Sequence, residues 1–105
     1  MAKMRAELII HQKLTSIKGL IREIFVWRLR KSERYPHGVK YRLALVDPAS
    51  AKVHLLYDNH WPKGHHVHTG EYEEAYEFTS IASLVRDFRE KADSLERSLR
   101  ENEKN

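Results

Sequence analysis

A chain of 105 residues has room for one sheet with a helix on it but not for two cores, so residues 1–105 are read as a single domain. The absence of cysteine excludes a disulfide framework and a thiolate metal site, and no apolar run approaches the roughly 20 residues needed to span a bilayer. The net charge of +4 conceals an asymmetry: residues 1–42 carry eleven Lys/Arg and three Asp/Glu, whereas residues 43–105 carry eight and twelve. A cationic half suits a polyanion such as nucleic acid, or else a solvated surface of mixed charge. The opening stretch Met1-Ala2-Lys3-Met4-Arg5-Ala6-Glu7 lacks a signal-peptide apolar region, which makes a cytoplasmic protein the expectation.

In chain order, the pattern predicts four or five strands at about 6–70 followed by one long helix at about 80–100. Leu8-Ile9-Ile10-His11 is a short apolar strand. Ser16-Ile17-Lys18-Gly19 then reads as a hairpin turn, with Gly19 free to take positive φ. Leu20–Leu29 alternates, with Phe25 and Trp27 on one side and Arg22, Ile24, Val26 and Arg28 on the other. Val39–Val46 alternates again, setting Tyr41, Leu43 and Leu45 against Lys40, Arg42, Ala44 and Val46. Asp47-Pro48-Ala49-Ser50 has the residues of a type I turn, and Val53–Tyr57 returns as the next strand. Short connections imply an antiparallel meander.

From Ser80 the period becomes helical: Ile81, Leu84, Val85, Phe88, Ala92, Leu95 and Leu99 fall on one stripe, with Thr79 or Ser80 as N-cap. The expected fold class is α+β, the helix covering the sheet face that bears Phe25, Trp27, Tyr41, Leu43, Leu45, Leu55 and Tyr57. Glu101–Asn105 lacks apolar anchors and should fray. The second face would then carry Ile24, Val26, Ala44, Val46 and Leu56 within a rim of Arg22, Arg28, Lys40, Arg42 and His54. Such a surface suits a homodimer contact or partial cover by the N-terminal strand, or else a nucleic-acid contact.

Function concentrates in Tyr57–His68, where four of the seven histidines, a carboxylate and an amide fall within a few positions. Histidine titrates nearest neutral pH and serves as proton donor, proton acceptor or metal ligand. On an extended chain His66 and His68 share a face, with His65 on the other. Three readings stay open. The pair can act as general base and general acid in cleavage of an RNA phosphodiester by its 2′-hydroxyl, with Arg28, Lys40, Arg42 or Lys63 stabilising the phosphate and Asp58 orienting an imidazole. The pair can hold zinc, with His60 or Asp58 as third ligand, although the first reading needs no cofactor. Alternatively, the histidines satisfy backbone carbonyls, and Asp58-Asn59 is a turn former.

The segment Arg28–Tyr41 mixes five cations with tyrosines. Arg28, Arg30, Lys31, Arg34, Tyr35 and Lys40 are thus candidates for gripping single-stranded RNA, with Arg42 and Lys63 nearby, unless this is an ordinary solvated loop. His11 and His54 lie within strands and read as packing or surface residues, whereas His37 can approach the cluster across the sheet.

Taken together, Trp27-Arg28-Leu29, Pro36-His37-Gly38 with Lys40-Tyr41, Tyr57-Asp58-Asn59-His60, Gly64-His65-His66 with His68, and Tyr76-Glu77-Phe78 resemble the TumE-type toxins of prokaryotic toxin–antitoxin systems, over about Glu7 to Phe88. The resemblance implies a growth-inhibiting toxin neutralised by a helix-turn-helix antitoxin protein. It carries no catalytic assignment, so the ribonuclease chemistry rests on the residues themselves. A non-catalytic nucleic-acid-binding module and a metal-dependent hydrolase are the competing classes.

Overall fold

The computed structural model describes residues 5–16 and 18–103. Its elements are β1 (Glu7–Thr15), β2 (Ile21–Arg28), β3 (Val39–Asp47), β4 (Lys52–Asp58), β5 (His66–Thr69), β6 (Tyr72–Ala75) and α1 (Ile81–Glu103). All six strands form one sheet in sequence order, every neighbouring pair antiparallel. The α+β meander is therefore as expected, with one strand more. Tyr72–Ala75 has no apolar alternation and is exposed throughout, which is why its sequence gives no strand signal. Ile17 of the expected first turn lies outside the described residues. The expected fraying of Glu101–Asn105 falls partly outside them too; residues 101–103 continue α1.

Turn chemistry accounts for the connections. Gly19 takes a φ of +80° between β1 and β2. Asp47 accepts from the Ala49 N–H (3.0 Å) and the Ser50 hydroxyl (3.1 Å) to close the turn into β4. Gly38 sits at φ +69°, and a Cβ there would meet the Leu29 carbonyl oxygen at 3.0 Å, so glycine is required where the long β2–β3 loop closes. At the start of α1 the Ser80 hydroxyl accepts the Ser83 N–H at 3.1 Å, which settles the N-cap on Ser80.

Residues paired across strands share a face. The register sets Ile24 opposite Leu43 and Val26 opposite Tyr41, then Leu45 opposite Leu55, Leu43 opposite Tyr57, and Tyr57 opposite Val67. These side chains form one buried cluster with Leu84, Phe88 and Ala92 of α1. The assignment of Phe25 and Trp27 to the helix face is thereby corrected. Both lie on the open face, where His11, Phe25 and Trp27 stack in a row at centroid spacings of 4.3 and 5.3 Å. Ile24, Val26 and Arg22 lie beneath the helix instead. The cause is that β2 is apolar on both sides, so its alternation marks a strand without marking which side is inward.

Arg22 is the charged residue this phase draws toward the core. Its guanidinium donates to Asp93 and to Glu96 of α1. Burial by itself would lower its pKa, but the two carboxylate bonds outweigh that and leave it raised. The pair also ties the C-terminal half of α1 to β2.

Leu84 is fully buried, so Leu84→Ala should cost about 2–5 kcal/mol in chemical denaturation. Trp27→Ala should cost less, because Trp27 faces away from the helix. Equal losses would return Trp27 to the core.

Candidate functional site

The end of β4 is held by an amide. Asn59 is buried; its Oδ1 accepts the Tyr41 N–H and its Nδ2 donates to the Val39 carbonyl, both at 2.8 Å. The side chain thus continues the β3–β4 ladder where the backbone turns away. Asp58 accepts the His60 N–H at 2.6 Å and starts that turn. In Tyr57-Asp58-Asn59-His60, then, Asn59 is architectural, Asp58 is half-buried on the open face and His60 is exposed beyond it.

From Gly64 the chain returns as β5. Asp58 pairs with His66 and Leu56 with His68, which places both imidazoles on the open face in line with Asp58 and, one strand further, Arg42. The two rings meet edge to face with centroids 4.7 Å apart. Nδ1 of His66 lies 2.7 Å from the Gly64 carbonyl oxygen. A carbonyl only accepts, so Nδ1 carries the proton of that bond, and in the neutral ring Nε2 holds the lone pair. His66 is only 8% exposed and His68 is half-buried. A shallow groove of about 410 Å³ runs past His66 between Lys63, Glu73 and Ala75.

Glu73, opposite His68 on β6, reaches that ring at 3.8 Å and accepts from Lys63 at 3.2 Å. The bond from Lys63 is the main cause that holds its carboxyl below the ordinary carboxylate value. His66, His68 and Glu73 each offer a ligand atom, all within 4.8 Å of one another; His60 is not a member of this group. Glu73 has no signal of its own in the sequence, because only the β5–β6 register brings it to His68.

His65, alternating to the other side, belongs to a second chain of polar rings. Nδ1 of His65 lies 2.8 Å from the Tyr41 hydroxyl, and Nε2 lies 3.3 Å from Nδ1 of His37. Burial pushes the Tyr41 phenol well above its ordinary range. Its O–H is therefore present to donate to His65, which places the His65 proton on the nitrogen facing His37. Phe78 stacks on His65 at 5.0 Å and packs against His37 at 5.1 Å. His37 does reach across the sheet, to His65.

The candidate RNA-binding residues divide between two places. Lys40 and Arg42 are half-buried on the open face, Lys40 with its ammonium 6.0 Å from the Trp27 ring centre. Arg28, Arg30, Lys31 and Arg34 lie at the sheet's end and on the β2–β3 loop, and Lys63 is exposed on the β4–β5 loop. Tyr35 is buried, its hydroxyl 3.4 Å from the Trp61 N–H, so it packs the loop. The exposed aromatic there is Trp61, with the Arg34 guanidinium 4.4 Å from its ring centre. Between the two loops lies a cleft of about 270 Å³ lined by Arg34, His37, Asn59, Trp61 and His65, among others.

The chain matches the model of the toxin TumE family over residues 3–97. It belongs to the TumE toxin family. That membership supports a toxin role and implies an antitoxin partner. No curated protein and no solved structure matches the chain. Among the described residues no helix is long and apolar enough to cross a membrane.

Burial, then repulsion from His37 and His66, lowers the His65 pKa from 6.5. An unfolded chain therefore takes up this proton more readily than the folded one, so His65 contributes stability above pH 6.5 that is lost as pH falls through the depressed folded value. The melting temperature should drop on acidification from neutral pH, and His65→Gln, which keeps an acceptor for Tyr41, should flatten that dependence. An unchanged slope in the variant would contradict the assignment.

Proposed function

We propose that this toxin-family member is an RNA-cleaving growth inhibitor that uses His66 and His68 as its proton-transfer pair. The observation that carries this reading is their adjacency on the open sheet face, 4.7 Å between ring centres, with the His66 tautomer set by Gly64. His66 Nε2 takes the proton of the ribose 2′-hydroxyl, and the 2′-oxygen attacks phosphorus. The bond from phosphorus to the 5′-oxygen breaks, and protonated His68 supplies the proton that oxygen needs as it leaves. The products are a 2′,3′-cyclic phosphate and a free 5′-hydroxyl. Arg42, in line with Asp58 and His66, is the cation placed to stabilise the phosphorane as charge develops.

Substrate binding draws on the same face. The stacked row His11, Phe25 and Trp27 offers a platform for unpaired bases, with Lys40 and Arg42 beside it for phosphate. Double-stranded RNA would not expose its bases to such a row, so the proposed substrate is single-stranded. Arg30, Lys31 and Arg34 extend the cationic track beyond the sheet's end. Within this reading the protein acts in the cytoplasm, and a helix-turn-helix antitoxin neutralises it.

Replacing either His66 or His68 with Ala should cut RNA cleavage by roughly 10²–10⁴-fold. Expression without antitoxin should arrest growth for the wild type and not for the variants. Melting curves must accompany these measurements, since His66 is buried and its loss frees the Gly64 carbonyl. A folded double variant that still cleaves RNA would sink the proposal. A wild type that binds RNA and never cleaves it would favour the binding-module class instead.

If the open face holds RNA, affinity should fall steeply with salt as phosphates release counterions. Lys40→Ala with Arg42→Ala should weaken binding and make that slope shallower by about 0.7 for each phosphate no longer neutralised. Salt-independent binding, or an unaltered slope, would move RNA off this face.

A further inference from the structure

We propose that His66, His68 and Glu73 form a zinc site, and that zinc bound there silences RNA cleavage. The trio follows from sheet geometry. His66 and His68 are alternate residues of β5 and so project from one face, and Glu73 is the register partner of His68 on β6. Two ligands on one strand and a third directly opposite leave little freedom to give up when a metal binds, because the β-ladder already fixes all three backbones.

The ligand chemistry also fits. Two imidazoles and a carboxylate are a donor set zinc accepts readily, whereas calcium and magnesium prefer all-oxygen sites. The three candidate ligand atoms lie within 4.8 Å of one another, and a tetrahedral zinc with ligands at about 2.0–2.2 Å needs them only modestly closer. The Nδ1–H of His66 donates to the Gly64 carbonyl, the outer bond that orients a metal-binding imidazole and leaves Nε2 for the ion. Glu73 is held by Lys63 at 3.2 and 3.5 Å through its two oxygens, so the ion displaces an exposed lysine, an interaction of small worth.

Zinc takes the lone pairs of both imidazoles, the same pairs through which His66 and His68 would handle protons. Bound metal and acid–base cleavage therefore exclude each other. The binding site stands on the trio alone; only its effect on cleavage rests on the function proposed above.

Isothermal titration of the purified, chelator-treated full chain with zinc chloride should give one site per chain. Glu73→Ala and His68→Ala should each weaken it by more than the roughly 10–100-fold that loss of an outer partner costs, whereas His60→Ala should leave it intact. In the cleavage assay zinc should inhibit the wild type, excess EDTA should restore it, and Glu73→Ala should cleave while resisting zinc. No saturable zinc binding, or binding that survives Glu73→Ala and His68→Ala, would overturn the site. Cleavage that needs zinc and dies in EDTA would overturn silencing. Since the titration requires no RNA, failure of the ribonuclease reading and failure of the metal site are told apart.

Discussion

Burial of Leu43, Leu45, Leu55, Tyr57 and Val67 beneath Leu84 and Phe88 fixes the phase of three adjacent strands at once. In a sheet the side-chain period is two, so every residue sent toward the helix commits its neighbours to the other face. Lys40, Arg42, Asp58, His66 and His68 reach the open face for that reason alone. A slip of one residue in β5 would drive both imidazoles under α1 and expose Val67. The core thus determines which side chains share the open face.

The same alternation separates two groups of histidines that are contiguous in sequence. His65 points to the helix side, where it joins Tyr41 and His37 under Phe78, while His66 and His68 stay on the open face. The first group is built like a structural network: its members are hydrogen-bonded in series, from buried Tyr41 through half-buried His65 to exposed His37. In the second, one His66 nitrogen is committed to a carbonyl, the two rings meet edge to face, and His68 Nε2 lies 3.8 Å from Glu73. Asn59 serves both by closing the β3–β4 ladder, so that β5 starts in the right register.

Much of this was legible in the sequence, and the failures have identifiable causes. The alternation in β3 and β4, the stripe from Ile81 to Leu99 and the turn residues at Asp47 gave the meander and helix, and the His66–His68 spacing gave their shared face. The inward side of β2 was not legible, because Phe25 and Trp27 compete with Ile24 and Val26 and only the register with Tyr41 and Leu43 decides. Arg22 made the wrong side look polar; its inward position depends on Asp93 and Glu96, more than seventy residues away. Glu73 was hidden because β6 has no pattern, and Tyr35, which the loop's composition offered as an RNA-gripping aromatic, is buried, while the exposed Trp61 carried no signal of its own.

The central claim is that an RNA 2′-hydroxyl is the nucleophile and that His66 and His68 move its proton and that of the leaving oxygen. Single-stranded RNA and the same oligonucleotide with 2′-deoxy sugars, each incubated with purified protein in EDTA, test it most directly. The account predicts that only the RNA is cut, leaving 2′,3′-cyclic phosphate ends. Cleavage of both strands at equal rates, or products bearing 5′-phosphate, would contradict it.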